Sequence, residues 1–332
     1  MAVMVNGSPR VAPLVEEPGV RGLKVLHITG WGRSGSTLLA RLLNEVPGFF
    51  SAGELRVVWR AGYLQGLRCG CGRPIRECPI WSRAVQRAAK AAGPLDPTAI
   101  VELQKRWAPV RRTGALLRDA RHEIGVASEQ AKYVEELAAL YQALADLAKA
   151  RVVVDSSKRP SDAALLTWMK DASPYSVQLV RDPRAVAYSW RRRKGGLARF
   201  GPVHSTWQWL HWNLQADRVR KRLGPSRTML VRYEDFVSQP RATIEAIVRL
   251  LGEDRPPLPW REGEGISLNA NHMIGGNPDR FSAGPIQIRS DEEWRDGQSR
   301  LDRAVATGLS LPLLHRYGYS WRARTWPTSH ST

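Results

Sequence analysis

A short β-rich run that breaks into a glycine-rich turn and then into a leucine-patterned helix constrains this chain more than any other feature. Lys24–Thr29 reads KVLHIT, Gly30–Thr37 reads GWGRSGST, and Leu38, Leu39, Leu42 and Leu43 follow at helical spacing. Strand, loop and helix in that order place the loop at the carboxyl end of a strand in a parallel sheet, where open α/β folds bind ligands. Three more apolar runs read as buried parallel strands: Val152–Val154 before DSSK, Ser176–Val180 before RDPR, and Thr228–Val231 before RYEDF. Helical patterns follow at Ala185–Arg193 and Arg241–Leu251, so the expected fold class is α/β, a central parallel sheet flanked by helices.

Between the first helix and Val152 the pattern is helical from Ser82 to about Ala150. It is clearest over Ala131–Lys149, where Val134, Leu137, Ala138, Tyr141, Leu144, Ala145 and Ala148 share one face. Pro94 and Pro97 separate an earlier helix, and the region at about 82–150 is expected to be a helical insertion within a single domain spanning 22–332. Glu262–Gln298, rich in Gly, Pro and Asn, reads as a long ordered loop. A final helix runs from Arg300 to about Tyr317 and stops at Gly318. Residues 1–21 are broken by Pro, Gly and Glu and are expected to form a flexible N-terminal tail, with no signal-peptide core. No run is long enough for a transmembrane segment, so the expected location is cytoplasmic.

An apolar fraction of 43% and 13 Trp exclude a disordered chain. Fifty Lys and Arg against 31 Asp and Glu give a net charge of +19, which attracts polyanions, nucleotides or anionic lipid heads. No zinc-finger spacing, basic zipper or aromatic RNA-binding signature accompanies that charge, so a solvated basic surface is favoured over a specific nucleic-acid partner. The three Cys lie together in RCGCGRPIREC at positions 69, 71 and 78. A zinc site would need a fourth ligand, and no His is near in sequence. Reduced thiols are therefore favoured over a metal, with a Cys71–Cys78 disulfide as the lesser alternative.

The loop chemistry narrows the function. Backbone N–H groups of Gly32, Arg33, Ser34, Gly35, Ser36 and Thr37 at a helix N-terminus cradle anionic oxygens. A Walker loop would carry Lys after the second Gly, but Gly35 is followed by Ser36 and Thr37, and the cation, Arg33, stands upstream. The arrangement is P-loop-like yet unsuited to triphosphates. RSGST resembles the 5′-phosphosulfate loop of sulfotransferases that use 3′-phosphoadenosine-5′-phosphosulfate (PAPS), in its carbohydrate and tyrosylprotein branches. LVRDPRAVAYSW is similar to the family's second motif, a strand ending at Arg181 followed by a helix carrying Ser189. That resemblance implies that Arg181 and Ser189 grip the 3′-phosphate. HMIGGNPDRF (His272 to Phe281) and DEEWR (Asp291 to Arg295) look like the closing segments of bacterial sulfotransferases, and by analogy Arg280 and Gly276 reach the 3′-phosphate. In motif order the likeness spans roughly Lys24 to Tyr319.

Sulfuryl transfer to a hydroxyl is an in-line displacement in which negative charge grows on the leaving bridge oxygen, so a cation there lowers the barrier. Arg33 fits that task, and the chemistry requires no metal; adenosine 3′,5′-bisphosphate (PAP) is the other product. The acceptor's proton needs a base. FFSAGELRVVW offers Glu54, whose GE-x-R setting matches the carboxylate branch; a surface Glu paired with Arg56 is the plainer alternative. Lys158, at the end of VVVDSSKRP, is expected from related enzymes to hold the sulfonate, with Ser156 and Ser157 as donors. His272 is the second base candidate, and His27 reads as a satisfied core residue. YSWRRRKGGLARFGPVHSTWQWLHWN mixes basic residues with Trp190, Phe200, Trp207, Trp209 and Trp212, a lid and an acceptor wall, or equally core and a solvated charged face. The expected acceptor is a hydroxyl-bearing small molecule, glycan or lipid. The rivals are a P-loop nucleotide kinase-like enzyme and a non-enzymatic basic polyanion-binding protein.

Overall fold

Five strands whose apolar residues run nearly unbroken form a fully parallel sheet, as such runs do when helices cover both faces. They are β1 (Leu23–Thr29), β2 (Phe49–Gly53), β3 (Val152–Lys158), β4 (Ala172–Val180) and β5 (Thr228–Arg232), in the order β2-β3-β1-β4-β5. Leu26 pairs with Val154 on one side and with Tyr175 on the other, so β1 is central. The computed structural model describes residues 22–119, 129–192, 199–253, 260–261 and 265–321; the expected N-terminal tail lies outside them.

This strand order decides what the glycine-rich loop meets. Leaving β1, it is flanked by the end of β3, which carries Lys158, and by the end of β4, which runs into Arg181. The Gly30 N–H donates to the Lys158 carbonyl at 3.0 Å, fixing that edge. The loop then enters α1 (Ser36–Asn44), whose Leu39, Leu42 and Leu43 are wholly buried against the sheet. Each such leucine stabilises the helix's seat by about 1.5–3 kcal/mol relative to an exposed one.

The helical stretch between β2 and β3 contains α2 (Trp81–Ala92), α3 (Pro97–Trp107), α4 (Thr113–Asp119) and α5 (Glu129–Ala148). The break between α2 and α3 falls at the two prolines, and Asp96 caps α3 by accepting from the Thr98 N–H at 2.9 Å. The apolar face expected of α5 is buried, and its Tyr141 hydroxyl donates to Asp155 of β3 at 2.6 Å. Beyond β3 come α6 (Pro160–Leu166), α7 (Pro183–Arg191), α8 (Pro202–Leu223), α9 (Tyr233–Ser238) and α10 (Pro240–Leu250). As expected, Pro183 opens α7 and the Asp182 carboxylate accepts from the Arg184 N–H.

Three details differ from the sequence reading. The stretch expected to be loop contains two strands of a small antiparallel sheet, β6 (Trp260–Arg261), β7 (Gly265–Leu268) and β8 (Gly284–Ile286), whose elements are too short to show alternation. After α11 (Trp294–Gly297), the last helix α12 (Arg300–Leu314) ends short of Tyr317, although Gly318 does take the left-handed conformation (φ 77°). His27 is wholly buried, but neither ring nitrogen has a hydrogen-bond partner, so it is not the satisfied core histidine expected; burial holds its imidazole below the usual value. Among the described residues, no helix is long and apolar enough to cross a membrane.

Candidate active site

The loop between β1 and α1 is held open by contacts that leave no room for larger residues. Gly35 sits at φ 88°, and a Cβ there would come within 2.7 Å of the Tyr233 ring; one on Gly32 would meet Trp190 at the same distance. Arg33 itself is left-handed (φ 70°), a conformation uncommon for a residue with a side chain. Ser36 and Thr37 begin α1, whose first turn has no acidic residue and no side-chain cap. Ser34 is 1% exposed, and its hydroxyl has no partner among the described residues. A buried unpartnered hydroxyl beside an uncapped helix N-terminus is suited to receive an anion.

Arg181 and Ser189 complete this side. Arg33 Nε donates to Ser189 Oγ at 3.1 Å, and Arg181 Nη1 donates to the Arg33 carbonyl at 3.2 Å. Arg181 lies 4.3 Å over the Tyr233 ring, donates through Nη2 to the Asp291 carbonyl at 2.8 Å and pairs with the Asp291 carboxylate at 3.2 Å. Its Nε, buried, has no partner. Burial first, then repulsion from Arg181 and Arg192, holds the Arg33 guanidinium below its ordinary value. A buried guanidinium, Arg181, with a donor to spare beside the half-buried Arg33 forms a cation-rich seat for an anionic group. Asp291 belongs to the DEEWR segment, which is anchored by Trp294, buried beneath Arg184.

On the other side, Lys158 (φ 67°) reaches across from β3, and its Nζ donates to Glu54 Oε1 and, at 3.3 Å, to the Ser156 carbonyl. The plainer expectation for Glu54, a pair with Arg56, is corrected: Arg56 instead pairs with Asp162 at 2.6 Å and donates to the Gln104 carbonyl, drawn inward by the buried carboxylate. The Glu54 N–H donates to the Ile274 carbonyl at 2.6 Å, and the Ile274 N–H donates to Ala52. The segment after His272 therefore lies along the end of β2. Three residues on, the Asn277 N–H donates to Thr37 Oγ1 at 3.1 Å, tying the same segment to α1. Ser157 turns its hydroxyl to Asp155 and also accepts from the Arg56 N–H.

Not every expected residue joins the group. Arg280 is buried and donates to the carbonyls of Gly276, Asn277 and Arg68, and it has no described contact with Arg181 or Ser189. Its guanidinium is lowered by burial and held up by Glu54. His272 Nδ1 lies 3.3 Å from Cys78 Sγ and 3.7 Å from Cys69 Sγ, so the ring is engaged with the thiols rather than with Glu54.

A cleft of about 490 Å³ opens beside Glu54 and Lys158, lined also by Arg56, Arg60, Gln104, Lys105, Arg159 and Trp212. Sequence reading missed Arg60, Gln104 and Lys105, which sit in helical patterns with no motif, and Arg159, which follows Lys158 in VVVDSSKRP but carries no role in that reading. A second cleft of about 510 Å³ shares Pro109, Arg159 and Trp212 with it and adds Trp31 and Trp207. Of the aromatic run, Trp212 and Trp207 line these clefts. Trp209 is core, donating to the Arg181 carbonyl at 3.0 Å, and Trp190 stacks against Trp31, Phe200 and Arg33. Lys194, expected within a charged face, lies outside the described residues.

The chain resembles the solved sulfotransferase domain from the curacin biosynthetic pathway, with a TM-score of 0.51, 19% identity, and coverage of 89% of this chain and 97% of that one. It is also similar to the sulfotransferase domain from the Synechococcus PCC 7002 olefin synthase, with a TM-score of 0.41, 21% identity, and coverage of 93% and 90%. Sulfotransferase STF9 from Mycobacterium avium aligns with a TM-score of 0.45, 15% identity, and coverage of 90% and 78%. No curated protein sequence matches the chain. The sulfotransferase family pattern matches residues 26–257, a span that holds the loop, Glu54, Lys158, Arg181 and Ser189. By that match over more than half its length, the chain belongs to the sulfotransferase family.

Proposed function

We propose that this sulfotransferase moves the sulfuryl group of PAPS to a hydroxyl on an acceptor bound in the cleft beside Glu54. The observation that carries the reading is the pair of bonds from Arg33 to Ser189 of α7 and from Arg181 to the Arg33 carbonyl, which join the glycine-rich loop to both in one cationic seat. When bound, PAPS supplies an activated sulfuryl group on a phosphate leaving group. The loop N–H groups and Ser34 hold the 5′ side, and Arg181 and Ser189 the 3′-phosphate. Gly276 and Arg280, expected at the 3′-phosphate, lie instead on the Glu54 side of the seat, where a Cβ on Gly276 would come within 2.8 Å of Thr37 Oγ1 and 3.6 Å of Glu54 Oε1. Arg33 stabilises charge where the leaving oxygen becomes anionic, and Lys158 holds the sulfonate while fixing one oxygen of Glu54. Glu54 Oε2 is left to accept the hydroxyl proton at the mouth of the cleft. On this reading residues 22–332 form one sulfotransferase domain, the reaction needs no metal, and the three free thiols suit a reducing, cytoplasmic setting.

The acceptor is a small molecule, glycan or lipid with a hydroxyl, since the clefts combine Arg and Lys heads with the Trp31 and Trp212 rings. The kinase-like and non-enzymatic readings are not favoured by the family match. Calorimetry with PAP, ATP and an oligonucleotide tests the proposal: tight, metal-independent binding of PAP alone supports it. Preference for ATP with magnesium, or for the oligonucleotide, would overturn it.

A further inference from the structure

We propose that Cys69, Cys71, Cys78 and His272 bind one zinc ion as a structural Cys₃His site that staples the covering segment to the loop before α2. The four ligand atoms lie within 4.8 Å of one another, although His272 stands 194 residues beyond Cys78 in the sequence. Cys78 Sγ is 3.5 Å from Cys69 Sγ and 3.3 Å from His272 Nδ1, and Cys69 Sγ is 3.7 Å from the same nitrogen. A tetrahedral zinc with Zn–S near 2.3 Å and Zn–N near 2.1 Å requires edges of about 3.8 Å between sulfurs and about 3.6 Å between sulfur and nitrogen. The three edges among Cys69, Cys78 and His272 match those values to within a few tenths of an ångström, and Cys71 Sγ lies within 4.8 Å of each.

The surrounding backbone holds the ligands in place. Cys69 and Arg73 are joined across a tight turn, with the Cys69 N–H donating to the Arg73 carbonyl at 2.9 Å and the Gly72 N–H to the Cys69 carbonyl at 2.8 Å. That turn brings Cys69 and Cys71 to one side. Cys78 is fixed by its N–H donating to the Pro74 carbonyl at 2.9 Å. His272 is clamped from the cysteine side: the Trp81 indole donates to its carbonyl at 2.7 Å, and the Gly70 N–H donates to Met273 at 2.8 Å. A side chain at Gly70 would drive its Cβ to 2.1 Å from Asn271 Oδ1, so the two segments meet as closely as backbone allows.

The donor set selects the metal and the role. Three thiols and one imidazole in a tetrahedral array suit zinc and leave no open position, the pattern of a structural rather than a catalytic site. Cys69 and Cys78 are wholly buried beside Ile75 and Trp81, while Cys71 and His272 are half-buried. All three cysteines are free, and an odd number of thiols cannot all pair into disulfides. The staple has a consequence for the cleft. Ile274, two residues past His272, takes the Glu54 N–H, and Asn277 engages Thr37. A metal at this point would set the position of that whole segment. This inference is independent of the identity of the cosubstrate.

The experiment is elemental analysis of the full chain, produced with zinc in the medium and desalted without chelator. One zinc ion per chain is expected, falling to near zero in Cys78→Ser and His272→Ala. If those variants fail to fold, cobalt exchange of the wild-type chain decides instead. A thiolate-to-cobalt charge-transfer band with tetrahedral ligand-field bands supports the site, as does release of one zinc ion on titration with an organomercurial. A wild-type chain without metal after equilibration with zinc, an unchanged zinc content in folded His272→Ala, or a Cys69–Cys78 disulfide would overturn it.

Discussion

Replacing Glu54 by Gln removes a base while leaving nearly every contact in place, which makes it the most informative change in the site. The backbone bond to Ile274 does not involve the side chain, and the amide oxygen of Gln can still accept from Lys158. The pair has side-chain exposures of 20% and 14%, and partly exposed ion pairs are worth about 1 kcal/mol or less. For a chain of this size that corresponds to a melting shift of no more than about 2–4 °C. General-base assistance is worth about 100-fold to 10,000-fold in rate, which is about 2.7–5.4 kcal/mol of barrier. The expected outcome is a loss of turnover in that range, with PAP affinity unchanged. Sulfate incorporation from labelled PAPS into a hydroxyl acceptor, read alongside PAP calorimetry and thermal melting, separates the quantities. A near-normal rate, or a loss of PAP binding equal to the loss of rate, would refute the argument.

Three other outcomes are expected. Arg181→Ala weakens PAP by about 10-fold to 150-fold, because hydrogen bonds to charged groups contribute about 1.5–3 kcal/mol; calorimetry should find adenosine 5′-phosphosulfate much less affected, and equal weakening would remove the 3′-phosphate assignment. Arg33→Ala lowers turnover more than it raises the PAPS Michaelis constant, since its charge matters most as the leaving oxygen becomes anionic; an effect on affinity alone in steady-state kinetics would make it a binding residue only. Burial lowers the His27 imidazole from 6.5, so between the lowered value and 6.5 the unfolded chain binds the extra proton and stability falls as pH drops. His27→Gln should flatten that part of the melting profile, scanned from about pH 8 to about pH 5, and an unchanged slope would assign it to other groups.

What could be read from the chain alone was local. Hydrophobic runs marked β1, β3, β4 and β5, since a buried parallel strand writes its burial directly into consecutive residues. The glycine-rich loop and RDPR were legible because turn and cap chemistry acts over a few residues. The same reasoning could not see β7 and β8, which are too short to carry a period, nor the partner of Glu54. Periodicity records which face of an element is buried and is silent about what faces it. Lys158 meets Glu54 from 104 residues away, and His272 meets Cys78 from 194. Those meetings follow from the strand order, which puts the ends of β2 and β3 side by side, and from the covering segment returning along Ala52. The amino-acid sequence by itself determined the α/β class and the glycine-rich loop between β1 and α1. Only tertiary structure decided which carboxylate faces the cleft and gave the three cysteines a fourth ligand, because both depend on contacts between segments that local interactions do not bring together.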